Sequence, residues 1–409
     1  MTPVQKNQPG SKPPAAASDH RSAVLAGYLG WTLDAFDYFL VVWCLTAIGR
    51  EFHKSDAAMA VTLTVTLAFR PAGAFLFGLL ADRYGRRTPL MLDLVFYSVM
   101  EVLSGLAPNY TTFLLFRALF GIGMGGQWGL GASLAMEKVP PRLRGLLSGV
   151  LQQGYATGNL LAAGAYFFLF DKFGWRPLFF IGGLPALLAL FVRFRVKESE
   201  VWEKTRHDTW ANLFRGILSH WRLFVFIVFF MTAMNFVSHG TQDMYPTFLE
   251  RQWHFAAKQR AAMTAISAVG AIIGGTLFGM VSDRSGRRRA IVTALLAALI
   301  SIPIWAFAPS MRLLIAGAFL MQFMVQGAWG VIPAHLSELS PDSVRGFLPG
   351  FGYQCGVLIA GSVAYIEAVL AGRTSYAIAM AATAATVFVL AMIATGLSGE
   401  RRAVRFQGQ

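Results

Sequence analysis

Sliding the sequence over itself by 201 residues brings its punctuation into register, and no other feature constrains the fold as strongly. Gly78, Asp82, Arg83, Gly85, Arg86 and Arg87 fall on Gly279, Asp283, Arg284, Gly286, Arg287 and Arg288. The register then runs without a gap through Pro108 and Pro309, Trp128-Gly129 and Trp329-Gly330, Glu137 and Glu338, and Arg144-Gly145 and Arg345-Gly346. A repeat of this length implies two copies of one structural unit.

The repeated unit is apolar. Of 409 residues, 55% are hydrophobic and 14% charged, against roughly 25% charged in a soluble chain. Lipid is therefore the expected solvent. Twelve runs approach the roughly 20 residues that span a bilayer: 23–49, 57–81, 88–107, 111–137, 145–169, 176–195, 222–249, 259–281, 290–308, 313–337, 346–370 and 375–397. The predicted fold is an all-α membrane protein of twelve transmembrane helices in two pseudo-symmetric six-helix bundles. The expected domains are a disordered N-tail over 1–21, bundles over 22–195 and 222–397, a linker over 196–221 and a C-tail over 398–409. The first residues, MTPVQKNQPGSKPPAAASDH, lack the basic start and apolar middle of a signal peptide.

A net charge of +14 raises the question of nucleic acid, but its distribution answers otherwise. With the N-terminus in the cytoplasm, the tails and the loops on that side hold 24 Lys and Arg, and the opposite loops hold nine. This is the positive-inside bias, and it predicts cytoplasmic termini in a cell inner or plasma membrane. A nucleic-acid partner is not expected. The basic linker is expected to lie along the cytoplasmic membrane surface. Cys44 and Cys355 lie inside predicted spans and read as small packed hydrophobes. No nucleophile-base arrangement, metal-ligand cluster or soluble domain is present, so neither an enzyme nor a metal site is expected.

Ionisable residues inside spans cost at least about 2.5–3.5 kcal/mol at the helix centre and normally face a cavity or a partner. The first half carries Asp34, Asp37, Arg70, Glu101 and Arg117. Asp34 and Asp37 share a helix face. Counting the rise of about 1.5 Å per residue from the cytoplasmic ends puts Asp34 and Arg70 at one depth. An arginine there can hold a carboxylate in a bidentate fork, while a poorly solvated aspartate can take up a proton. Protonation would release Arg70 to a substrate anion. The alternative is a permanent bridge that only locks two helices. Glu367 reads as solvated near the external end, and Glu137 and Glu338 as partners of the basic loops.

The 201-residue shift carries Asp34 onto Asn235 and Asp37 onto Ser238, inside NFVSHGTQDMYPT. Asn235, Ser238, His239 and Gln242 recur at helical spacing, and Asp243 extends the stripe from His239. Gly240 and Pro246 predict a break or kink near the external mouth.

The G-x-x-x-D-R-x-G-R-R loops and the six-plus-six repeat resemble the major facilitator superfamily of secondary transporters. The resemblance implies a substrate site between the halves near the midplane. It also implies gating by Asp82, Arg83, Arg86, Asp283, Arg284 and Arg287, with each aspartate pairing arginines and a helix N-terminus; service to topology alone is the other reading. Arg117 opens RALFGIGMGG and occupies the superfamily position linked to proton coupling, although a snorkelling role stays open. Its glycines read as close helix packing, since a nucleotide loop would follow a strand.

NFVSHGTQDMYPT resembles the N-x-x-[ST]-H-x-[ST]-Q-D-x-x-x-T signature of the lactate-permease branch of the sialate:proton symporter family. That likeness implies roles in uptake and proton coupling for Asn235, His239 and Asp243, and a substrate role for Arg70. GYQCGV keeps Gln354 but has Val357 where an asparagine is expected. Gln152, Gln153, Tyr155 and Asn159 are further cleft candidates, in a QQGY stretch that also resembles sialate carriers. The expected function is proton-coupled symport of a small organic anion, lactate or pyruvate, by a monomer with protons as coupling ion and no other cofactor. Arg70 is expected to hold the carboxylate, Asn235 and Gln354 the hydroxyl or keto oxygen, and Tyr38, Phe39 and Tyr353 to exclude water. Asp34, Asp37 and Asp243 are the proton-site candidates, with His239 sharing the proton. Sialate or aromatic acids are the alternative substrates. A carboxylate sensor is a further reading, although only twelve residues follow the last predicted span.

Overall fold

The computed structural model describes residues 15–207 and 209–406. Residues 1–14, most of the predicted N-tail, lie outside them. The first helix already begins at Ala15, inside the stretch assigned to that tail, and runs to Glu51.

Helices fill the predicted spans. Spans two and eight are Asp56–Tyr84 and Ala257–Ser285, and spans four and ten are Tyr110–Lys138 and Met311–Leu339. Each pair is offset by the 201 residues of the repeat. The capping chemistry repeats as well. Asn109 accepts from the Thr112 N–H at 2.9 Å, and its counterpart Ser310 accepts from Leu313 at 3.5 Å. Spans three and nine are Arg87–Leu106 and Arg287–Ala306. Gly85 and Gly286, at φ +101° and +97°, make the tight turns that enter them, in a backbone region that favours glycine.

Span five is broken into Arg144–Gln152 and Gly154–Phe173, and span six into Trp175–Ile181 and Pro185–Arg195. Span seven is Trp221–Gln242 followed by Tyr245–Arg251. Its break falls just beyond Gly240, where Pro246 sits in the first turn of the new helix and has no N–H to continue the old one. Span eleven divides into Leu348–Ala360 and Val363–Arg373, and span twelve is Tyr376–Leu397. Among the described residues, ten helices are long and apolar enough to cross a membrane by length and composition. Span four, rich in glycine, and the broken span five complete the twelve.

Span two packs onto span four through bare backbone. A Cβ on Gly121 would lie 2.2 Å from the Thr66 carbonyl oxygen, and one on Gly125 would lie 1.9 Å from that of Arg70. The glycine run is thus a helix-packing seam, and it sets the position of Arg70. The linker forms two short helices, Glu200–Thr205 and Trp210–Ser219. Trp202 Nε1 donates to the Asp82 carbonyl at 3.0 Å, which ties the linker to the first bundle.

Candidate functional site

Between the bundles lies a small chamber with about 90 Å³ of space, walled by spans one, two and five from one half and seven, ten and eleven from the other. Of the residues singled out from the sequence, Tyr38, Arg70, Gln152, Tyr155, Asn235, Ser238, His239, Gln242, Asp243 and Tyr353 line it. The repeat therefore brings the acidic span one and the polar stripe of span seven to one cavity.

Arg70 is 4% exposed, and its guanidinium carbon lies 5.8 Å from the centroid of the Tyr353 ring. Its Nε and Nη2 are buried and donate to no partner among the described residues. Burying a cation in this way is costly unless an anion or acceptor completes it. Opposite, the Asn235 amide donates to the Met231 carbonyl of its own helix at 2.8 Å, which leaves its oxygen for the chamber. His239 Nδ1 lies 3.1 Å from Asp243 Oδ2, with both side chains about a third exposed. Gln242 donates to Ser238 Oγ at 3.2 Å and to Gln322 Oε1 at 2.9 Å, and so fixes the stripe against span ten.

Asp34 and Asp37 are fully buried but do not line the chamber, and no ion pair joins either to Arg70 among the described residues. Their carboxylate oxygens find no hydrogen-bond partner among the described residues. Helical rise places them at the depth of Arg70, but neither carboxylate reaches the chamber wall, and that of Asp37 is packed inside the first bundle. A Cβ on Gly182 would lie 2.7 Å from Asp37 Oδ1 and 2.4 Å from Glu101 Cγ, which brings these two acids together beside span six. Glu101 is paired with Arg117, both fully buried, and the Arg117 guanidinium carbon lies 3.9 Å from the Phe120 ring centroid. Arg117 does not snorkel, because its partner lies inside the bundle. Asp93, which the sequence reading passes over, is also fully buried, and both its carboxylate oxygens lack a hydrogen-bond partner among the described residues. Its place inside an apolar span was the available signal.

Several other candidates do not line the chamber. Gln354 donates to the Gly125 carbonyl at 3.3 Å and serves as a bond between the bundles. Gln153 faces Gly275 of span eight, where an added Cβ would lie 1.8 Å from its amide nitrogen. Phe39 backs the wall, its ring 5.2 Å from that of Tyr155. Asn159 lies past the break in span five and does not reach the chamber. Gln152 and Tyr155 do reach it, as do Trp31, Gln326, Trp329 and Val357. Val357 thus puts a valine into the wall at the span-eleven position where an asparagine is expected. Glu367, expected to be solvated, is 1% exposed with no hydrogen-bond partner among the described residues. Gly240, whose added Cβ would lie 3.8 Å from Glu367 Oε1, has no side chain to push it out.

At the face bearing the basic loops, four of the six gating candidates form two matching cross-bundle networks. Asp82 accepts the N–H groups of Gly346 at 2.9 Å and Phe347 at 3.0 Å, and pairs with Arg86 at 2.6 Å. Asp283 accepts those of Gly145 at 2.8 Å and Leu146 at 2.9 Å, and pairs with Arg287 at 2.9 Å. Each carboxylate faces the N-terminal end of a helix in the other bundle, where the helix dipole favours it. Arg83 and Arg284 stand apart. Arg83 donates to the His207 carbonyl of the linker at 3.0 Å, and Arg284 is exposed.

The profile of the Major Facilitator Superfamily matches residues 27–257, and that of "Sugar (and other) transporter" matches residues 209–398. A carboxylic acid transporter protein homolog of Saccharomyces cerevisiae is 28% identical over 374 residues, which cover 85% of this chain and only 61% of that relative's length. The sialic acid transporter NanX of Escherichia coli is 30% identical over 82% of this chain and 84% of its own. The solved structure of the proton:xylose symporter XylE bound to 6-bromo-6-deoxy-D-glucose superposes with a TM-score of 0.79 at 19% identity, over 96% of this chain and 98% of the other.

Proposed function

The chain belongs to the Major Facilitator Superfamily, and from that membership we propose that it is a proton-coupled symporter of small monocarboxylates such as lactate and pyruvate, working by alternating access. The observation that carries this reading is Arg70, a buried cation in the wall of the inter-bundle chamber with two donors unengaged among the described residues. A planar carboxylate is the ligand that matches a guanidinium fork. The small chamber supports a small acid, since drug-sized sites enclose roughly 300–1,000 Å³.

In this reading the substrate carboxylate docks on Arg70, and the Asn235 oxygen faces the hydroxyl or keto group. Asp34, Asp37 and Asp243 are the proton-site candidates, and His239 orients Asp243. Arg117 acts on the proton sites through its pair with Glu101. The networks of Asp82 and Asp283 hold the basic face shut while the site is exposed on the other side, and the basic loops set that face toward the cytoplasm. Names among the relatives, a carboxylic acid transporter homolog and a sialic acid transporter, support an organic acid as substrate. A larger or aromatic acid is the second reading, favoured by the aromatic faces of Trp31, Tyr155 and Trp329 in the wall.

Calorimetric titration of the purified protein with lactate and with sialic acid tests the substrate. Lactate binding that weakens about tenfold or more in Arg70→Lys is expected, because lysine lacks the fork. Unchanged lactate binding in that variant would remove Arg70 from the site.

A further inference from the structure

Arg144 and Arg345 are counterparts in the repeat, and both are at most 1% exposed. Each reaches across the seam to the glutamate of the other half: Arg144 Nη1 lies 3.0 Å from Glu338 Oε1, and Arg345 Nη1 lies 3.6 Å from Glu137 Oε1. One aromatic ring contacts both. Phe406, 2% exposed, has the Arg144 guanidinium carbon 3.9 Å and the Arg345 guanidinium carbon 3.7 Å from its centroid. The two repeat-related guanidiniums, one from each half, thus meet on a single ring.

The segment that delivers this ring is held at two more points. Arg144 Nη1 donates to the Val404 carbonyl at 2.8 Å, and the Glu400 carboxylate accepts the N–H groups of Arg287 and Arg288, each at 2.9 Å. The chain after span twelve thus leaves the second bundle, crosses to the seam and touches the first.

We propose that the segment Glu400–Phe406 is a latch on the basic face, with the Phe406 ring as its pin. The π system of an aromatic ring is electron-rich, so one ring can attract both cations. It also offsets part of the repulsion between two like charges in a poorly solvated seam. When the bundles part on this face, one ring cannot remain on both arginines. The contact therefore stabilises the closed seam selectively, and a contact present in only one of two states shifts their balance. The latch rests on the alternating-access reading above.

Spin labels on Arg142→Cys and Arg289→Cys, in full-length protein with Cys44→Ser and Cys355→Ser and reconstituted in nanodiscs, report the width of the seam by pulsed dipolar spectroscopy. Phe406→Leu keeps apolar volume but removes both π faces. It is expected to raise the ratio of open to closed seam by about fivefold or more. Phe406→Trp keeps a ring and is expected to restore the closed distribution, which separates the latch from simple filling of space. A distance distribution unchanged by Phe406→Leu, or one equally widened by Phe406→Leu and Phe406→Trp, overturns the proposal. The measurement needs no substrate, so a failure of lactate to bind or move would sink the substrate assignment and leave this result standing.

Discussion

The Asp82 carboxylate accepts the backbone N–H of Gly346 from the opposite bundle at 2.9 Å. It is buried and charge-assisted, and its repeat counterpart joins Asp283 to Gly145 at 2.8 Å. Such bonds are roughly twice as strong as neutral ones, so under the proposed alternating access the two together should resist opening of the basic face.

Asp82→Asn keeps the shape and removes the charge. A thiol-reactive dye should label Leu147→Cys, beside the seam, several-fold faster in this variant, in a background of Cys44→Ser and Cys355→Ser. Adding Asp283→Asn should accelerate labelling further. Equal rates in all backgrounds would mean that the networks do not hold the seam.

The Glu101–Arg117 pair predicts a stability effect. Breaking a buried pair by removing one partner costs roughly 3–5 kcal/mol, so Glu101→Gln should lower the melting temperature clearly, and Arg117→Met should recover much of the loss in the Glu101→Gln background. The exposed Glu51–Arg176 pair, whose side chains are 45% and 32% accessible, is the internal control. Exposed pairs contribute about 1 kcal/mol or less. A Glu101→Gln loss no greater than that of Glu51→Gln would contradict the assignment.

Glu367→Gln should act in the opposite direction. A buried carboxylate with no hydrogen-bond partner among the described residues is a cost to the fold, and a neutral amide of the same size relieves it. The melting temperature should rise by a few degrees, corresponding to about 1 kcal/mol or more. A fall would show that the carboxylate has a stabilising partner.

Val357 stands in the chamber wall, at the position in span eleven where an asparagine is expected of fungal lactate permeases. Val357→Asn supplies a hydrogen-bonding group, expected to favour lactate over propionate by about 1 kcal/mol more than the parent does. Competition for labelled lactate measures that ratio, and an unchanged ratio would place the substrate hydroxyl elsewhere.

Much of this architecture was legible from the chain because it depends on depth and register. Helical rise put Arg70 at the level of the chamber, and the 201-residue repeat set the span-seven stripe opposite span one. Rotation about a helix axis was harder to read. Span one is apolar nearly all round, so nothing local indicated that Asp34 and Asp37 stay out of the chamber wall that Arg70 lines. Gln153 misleads for a related reason: it sits at the break in span five, and its side chain falls on the seam with span eight. Asp93 and Glu101 depend on which neighbour packs beside them. Phe406 is a tertiary event, since a lone aromatic in a basic tail has no periodicity to reveal its binding site.

Asp34 is the proton-site candidate at the level of Arg70. Asp34→Asn should still exchange labelled for unlabelled lactate across a vesicle membrane, but it should lose accumulation driven by a pH gradient. Accumulation equal to that of the parent would shift the proton to Asp37 or Asp243.

The central claim, that proton and monocarboxylate move together, is tested most directly in proteoliposomes loaded with dilute buffer. Lactate added outside should enter with a simultaneous alkalinisation of the external medium, abolished by a protonophore. Labelled lactate entering with no change in external pH would contradict symport.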